Sequence, residues 1–385
     1  MLKAVVGHSN DPDSREAIAE VLKQCHQSLA GKVPQAGILL AAIDFDHPLI
    51  LQQICQTYPD IELIGGTTDG EISSILGFEQ DSLVLILFCS DAIAFRAGMG
   101  RNISQDTNAA IQNAVDLATR DSRRDRVKLC IALPESLTTS AVPILNNLQH
   151  ILGKQVPIFG GLTADGWQFK QTYQFCGTEV CSDAFPLLLL SGPVLFSHGV
   201  ASGWNPIGKK GQVTKVHQNN VYEIDHKPAL EFYHRYLGQR SPSSEYPLAV
   251  FDPEEKYYYM RAPSGSYDLA SGSVTFFGDI PEQAIVQITE ATRDSILSAS
   301  QTSMMQAVQN YPGQTPAAAL FFSCASRRQL LGSRTKDEYQ LTQNCLTQAL
   351  PSCGFYTNGE IAPLEQQGVS YFHNETFITL LLGEA

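Results

Sequence analysis

The sequence predicts an α/β protein in which layered mixed β-sheets are flanked by helices. Three observations carry that prediction. One glycine-rich turn occurs three times, around Gly65-Gly66, Gly160-Gly161 and Cys353-Gly354. Each occurrence follows a helical pattern, a continuous apolar run and a second helical pattern. Each is followed by another continuous apolar run. Such runs, bounded by turns, mark strands covered on both faces. The repeated unit is therefore helix, strand, helix, glycine turn, strand, with a β-rich insertion between the second and third copies.

The elements follow in order. The segment 1–7 reads as a strand and has neither the apolar stretch nor the cleavage site of a signal peptide. The first strands of the three copies are expected at 36–44, 127–135 and 317–327. Their second helices are expected at 48–58, 141–152 and 337–350, and their closing strands at 83–89, 185–190 and 376–382. Pro281 is expected to open the third copy's first helix, with Ile285, Ile288, Thr292, Ala299, Met304 and Val308 at helical spacing. Between about 196 and 278 the pattern breaks into short strand-like runs, among them 212–216 and 256–261. A turn at Asp225-His226-Lys227 there precedes a helix at 228–237. Two halves are expected: 1–203 with two copies, and 204–385 with the insertion and the third.

Of the 385 residues, 43% are apolar and 17% charged, against about 25% charged in an average globular chain. That balance favours a large folded core over disorder. The net charge of −13 repels phosphate backbones and argues against a nucleic-acid partner. One basic run, Arg120, Arg123, Arg124, Arg126 and Lys128, is interleaved with Asp121 and Asp125 and reads as a solvated loop. The longest apolar run, 185–196, is broken by Pro186 and Pro193 and is too short to span a bilayer, so no membrane partner is expected. Nine cysteines, an odd number without Cys-x-x-Cys, fit a reduced, cytoplasmic compartment. Nothing calls for a cofactor or a metal. There is no phosphate loop, and Glu231 with His234 reads as one face of a solvated helix.

The turns carry chemistry. The first reads Gly65-Gly66-Thr67-Thr68-Asp69-Gly70-Glu71, the second Gly160-Gly161-Leu162-Thr163-Ala164-Asp165-Gly166-Trp167, and the third Cys353-Gly354-Phe355-Tyr356-Thr357-Asn358-Gly359-Glu360. Glycine lets a backbone approach its neighbours closely. Asp-Gly and Asn-Gly favour tight turns whose amides can form an anion-binding nest. The second copy has Trp167 where the others have Glu71 and Glu360, and reads as structural. The third copy's strand ends in Ser323-Cys324-Ala325-Ser326-Arg327-Arg328. Arginine can hold a carboxylate by two parallel bonds. A neighbouring arginine can also lower a cysteine's pKa and make Cys324 a nucleophile.

At these residues the chain resembles the FIST family of sensory proteins. The first half resembles the FIST N-terminal domain through the segment 64–72 and Gly160-Gly161. The second resembles the FIST C-terminal domain through the segments 221–230, 322–327 and 353–361. The resemblance implies sensing of a small ligand, with amino acids proposed, and signalling to kinase, cyclase or chemoreceptor machinery. Relatives are often fused to such output modules. Here the two halves use up the chain, so a separate signalling protein is the expected partner. An amino-acid ligand needs a cation or amide nest for its carboxylate and an anion for its ammonium. The expected ligand set is therefore Cys324, Arg327, Gly354, Tyr356, Thr357, Asn358 and Glu360, with Thr67, Thr68 and Glu71 second. Two other readings stay open. One is an enzyme using Cys324 or Glu360. The other is an adaptor docking a protein on the aromatic segment 256–261.

Overall fold

A computed structural model describes residues 1–120, 126–366 and 368–385. The middle of the basic run, 121–125, lies outside the described residues.

The first unit runs β1 (Lys3–Ser9), α1 (Ser14–Leu29), β2 (Ala36–Ala41), α2 (His47–Thr57), β3 (Glu62–Thr67), a hairpin of β4 (Glu71–Ser73) and β5 (Gly77–Glu79), and β6 (Leu83–Cys89). The second repeats that order as β7 (Ala94–Arg101), α3 (Thr107–Thr119), β8 (Val127–Ala132), α4 (Ala141–Leu152), β9 (Ile158–Gly161), β10 (Gln174–Cys176), β11 (Glu179–Cys181) and β12 (Ala184–Ser191). The third opens with β13 (Val194–Ala201) and is interrupted by the insertion: β14 (Asn205–Pro206), β15 (Gly211–His217), β16 (Asn220–Ile224), β17 (Lys227–Pro228), α5 (Ala229–Leu237), β18 (Leu248–Phe251), β19 (Tyr258–Arg261), β20 (Pro263–Asp268), β21 (Ser273–Phe276) and β22 (Ile285–Glu290). It resumes as α6 (Arg293–Gln309), β23 (Ala318–Cys324), α7 (Ala325–Leu331), α8 (Thr335–Gln343), β24 (Ser352–Thr357), β25 (Glu360–Pro363), β26 (Ser370–His373) and β27 (Phe377–Glu384). Helices start where a short polar side chain can take an orphan amide: Asp13, Asp46, Asp106, Ser140 and Thr292 each do so.

Among the described residues the strands form three six-stranded sheets and one nine-stranded sheet. The orders of the three are β1-β6-β2-β3-β10-β11, β7-β12-β8-β9-β25-β26 and β13-β27-β23-β24-β4-β5. Each unit thus keeps four strands in its own sheet and sends its hairpin to another unit's sheet. The second unit's hairpin completes the first sheet, the third's completes the second, and the first's completes the third. The boundary expected at residue 203 is crossed by these exchanges. The insertion forms the fourth sheet.

The inner faces of the three sheets meet in one core. Ile38, Leu40 and Ile64 pack there with Leu129, Ile131 and Phe159, and with Leu320, Phe322 and Phe355. The outer faces bury their own helices in separate clusters. Burial on both faces is the reason these strands read as unbroken apolar runs.

Three expected elements differ. Pro281 does not open a helix: Ile285 and Ile288 lie in β22, paired with β18, and α6 begins after Thr292. Thr292 and Ser295 form a reciprocal capping box that sets that start, and the β-branched residues before it suit the sheet. The strand expected to 327 ends at Cys324, and Arg327 sits in α7 instead. The helix expected at 337–350 is the shorter α8. The turn at Asp225-His226 does form, both residues taking left-handed φ (54° and 60°). The aromatic segment contributes β19, at one end of the insertion sheet.

Candidate functional site

Each glycine turn is the point where the chain leaves its own sheet for the next one. The three turns hydrogen-bond to one another. Ala164 N–H donates to Thr67 O at 2.8 Å, Asp69 N–H to Tyr356 O at 3.0 Å, Tyr356 N–H to Gly70 O at 2.9 Å, and Leu162 N–H to Gly359 O at 2.8 Å. The close approach explains the glycines. A Cβ on Gly66 would lie 2.3 Å from the Thr163 methyl, and one on Gly161 2.6 Å from the Thr357 methyl. These residues serve the junction itself.

Beside the junction, at the seam between the second unit, the third unit and the insertion, lies a cavity of about 580 Å³. Its third-unit side comprises Cys324 at the end of β23, Ala325, Ser326, Thr357, Asn358, Asn374 and Glu375. The second unit supplies the loop 136–141 and the rings of Trp167 and Phe169, and the insertion supplies Asn219, Thr275, Phe277 and Asp279.

Two buried carboxylates shape those second-unit loops. Glu135 accepts from the amides of Leu137, Thr138 and Thr139 and from the Thr138 hydroxyl. Asp165 accepts from the amides of Gln168, Phe169, Lys170 and Gln171. Asp69 adds a bond from the Trp167 amide at 2.9 Å. Trp167 and Phe169 are held with left-handed φ of 67° and 52°, an arrangement rare for bulky residues. They stay partly exposed, and Phe169 stacks on Phe277 with ring centroids 6.2 Å apart.

Glu375 is the least satisfied group in the cavity. It is wholly buried, its φ is 59°, and neither carboxyl oxygen has a hydrogen-bond partner of good geometry. Burial and the neighbouring Glu360 push its pKa well above the carboxylate range, although the Ser326 hydroxyl and Arg327 favour its charged form. Burial, Glu360 and Glu375 likewise push the Cys324 thiol well up.

The residues expected from the sequence fall into two groups. Cys324, Thr357 and Asn358 line the cavity, with Asn358 donating to the Ser136 hydroxyl at 3.0 Å. The others do not line it. Arg327 is fully buried, and its guanidinium donates to Glu338 (2.7 and 3.1 Å), Ile296 O, Ser300 and Ser202 O. Tyr356 also donates to Glu338, at 2.6 Å. Gly354 lies within β24 against Phe321. Glu360 sits behind the cavity, accepting from the amide and hydroxyl of Thr376 at 3.1 and 2.8 Å; burial raises its pKa to about 8. Glu71 makes the same arrangement in the first unit, accepting from Thr68 and from the amide and hydroxyl of Ser82, with its pKa raised to about 7 by burial. The Thr67 hydroxyl accepts from the Tyr173 amide. The two glutamates that look like ligand anions in sequence thus staple each turn to its closing strand.

Sequence reasoning missed Glu375, Asn374, Trp167 and Phe169 as cavity residues. Only Trp167 carried a signal, as a large aromatic directly after an Asp-Gly turn.

The FIST N domain model matches residues 35–227 and the FIST C domain model residues 229–363. The chain belongs to the FIST family, whose domains are sensory. An uncharacterized protein of Methanocaldococcus jannaschii is 27% identical over 169 residues, 42% of this chain and 32% of that protein; the match thus spans about a third of that relative's length. An uncharacterized protein of Mycobacterium tuberculosis is 22% identical over 383 residues, covering 93% of this chain and 94% of its own. Among solved structures, a cyanuric acid hydrolase from A. caulinodans aligns with a TM-score of 0.33 and 10% identity, over 100% of this chain and 99% of that one. No helix among the described residues is long and apolar enough to cross a membrane.

Proposed function

We propose that this chain is a cytoplasmic small-ligand receptor that binds a metabolite, an amino acid or a related compound, in the seam cavity and signals to a separate protein. The observation that carries this reading is the cavity itself. It is of ligand size, is walled by three parts of the chain, and holds a buried carboxyl group with no hydrogen bond of good geometry. A ligand there touches the second unit, the third unit and the insertion at once. Its binding energy can therefore bias how they sit together, which a receptor requires.

The chemistry supports a receptor over an enzyme. A nucleophilic cysteine needs a lowered pKa, and the surroundings of Cys324 act in the opposite direction. Glu360 has the raised pKa of a general acid, but its two oxygens are engaged by Thr376 and by the Thr357 hydroxyl, and it does not line the cavity.

The test is a thermal-shift screen of metabolites against the wild type and Thr139→Trp, which fills the cavity from the 136–141 loop. A ligand at a hundred times its Kd adds about 2.7 kcal/mol to the wild type and little to the variant. Equal stabilisation of both proteins, or none from any metabolite, would overturn the reading.

A further inference from the structure

The lining of the seam cavity has one sign of charge. Among its described residues there is no lysine, arginine or histidine, while Asp279 and Glu375 bring carboxyl groups. Asp279 accepts from the Ser140 hydroxyl at 3.1 Å, whereas Glu375 has no such partner. Arg327 offers no remedy for an anionic ligand. Its guanidinium is neutralised by Glu338, and toward Glu375 it faces the backbone carbonyl at 3.4 Å. A ligand carboxylate placed here would lose its hydration and find no cation, which is costly. A cation would find the Glu375 carboxyl, which has no hydrogen bond of good geometry, and the rings of Trp167, Phe169 and Phe277, whose faces attract positive charge.

We infer that the cavity takes a small organic cation, a primary or methylated amine without a carboxylate, with its ammonium on Glu375 and its body toward the Trp167–Phe169–Phe277 rings. This rests on the receptor reading and narrows its ligand class. The groups facing Glu375 are the Cys324 thiol on β23, the Ser326 hydroxyl and Arg327 guanidinium on α7, and the Glu360 carboxyl on β25. Burial and the Glu360 carboxyl beside it favour the protonated form of the Glu375 carboxyl when no ligand is bound. An arriving ammonium ion replaces that proton: the neutral acid and the cation become a carboxylate–ammonium pair, and one proton passes to solvent. Methyl groups on the nitrogen leave the charge in place and improve its fit to aromatic faces.

The test is calorimetry on the full chain with phenethylamine, choline and putrescine, and with phenylalanine and 3-phenylpropionate as carboxylate-bearing controls. Titrations in two buffers of different ionisation enthalpy count protons. The expected result is that at least one amine binds and releases close to one proton, with phenylalanine more than tenfold weaker than phenethylamine and 3-phenylpropionate silent. Glu375→Gln is expected to weaken that amine about tenfold to a hundredfold and to abolish the proton release. Phe277→Ala, on the exposed rim, weakens the same amine without touching the buried cluster and guards against a folding defect in the first variant. Amine affinity unchanged by Glu375→Gln, controls that bind as tightly as the amines, or no amine binding at millimolar concentration would each overturn the inference. The two readings fail separately. A carboxylate-bearing or neutral metabolite that stabilises the wild type but not Thr139→Trp would keep the receptor and discard the amine.

Discussion

Glu360→Gln tests whether the staple behind the cavity is a neutral acid. The side chain is wholly buried, and its pKa is raised from an ordinary 4.5 to about 8, chiefly by desolvation. The native state therefore holds a proton that the unfolded chain has already released. A carboxyl raised in this way weakens folding as pH climbs, from just above the unfolded value until the native group ionises. Between about pH 5.5 and about pH 8.5, those two pKa values correspond to a loss of about 3 kcal/mol from this one residue. Glutamine keeps a carbonyl oxygen for the Thr376 bonds and does not titrate, so the variant lacks the loss. The buried histidines oppose the trend: burial lowers His198 and His373 to about 4, and the stability they hold is lost as pH falls from the unfolded 6.5 toward 4. They are present in both proteins and cancel in the difference. The assay is urea unfolding of wild type and variant across that range. The wild type is expected to lose ground to Glu360→Gln steadily as pH rises. A gap constant to within about 1 kcal/mol would show that Glu360 is ionised throughout.

Other perturbations read other parts of the fold. Arg327→Ala leaves Glu338 buried without its cation and is expected to cost about 3–5 kcal/mol in urea unfolding; replacing both residues, as Arg327→Met with Glu338→Leu, should recover part of that loss. Gly160→Ala places a Cβ 1.8 Å from the Ala132 carbonyl oxygen and is expected to prevent accumulation of folded protein. Gly31→Ala, with open space around it but a φ of +85°, should cost only about 1 kcal/mol by thermal melting. Asp165→Ala removes the acceptor for four loop amides, so hydrogen exchange at 168–171 should accelerate while that in β9 does not.

Much of the architecture was legible because of where its strands sit. β2, β8 and β23 are covered by helices on one face and by the shared core on the other, so each appears as an unbroken apolar run. The three turns were legible because crossovers between sheets need glycine at the close approaches to Thr163 and Thr357. The site was less legible. Arg327 and Glu360 are ionisable residues near turns, and nothing in the local sequence distinguishes a group facing a ligand from one consumed inside. The partner of Arg327 stands eleven residues on, in α8, and that of Glu360 precedes the last strand. Glu375 lies in an unremarkable polar turn. Its significance comes from what is missing around it.

The sequence by itself determined the class of fold, the threefold unit and the position of the insertion, because these follow from periodicity and turn chemistry within a few residues. Only the tertiary structure decided which sheet each hairpin joins, which buried charges neutralise one another, and where the cavity opens. Those outcomes depend on hydrogen bonds and desolvation between segments far apart in the chain. The side chain left among them without a hydrogen bond of good geometry, that of Glu375, belongs to a residue that lines the cavity.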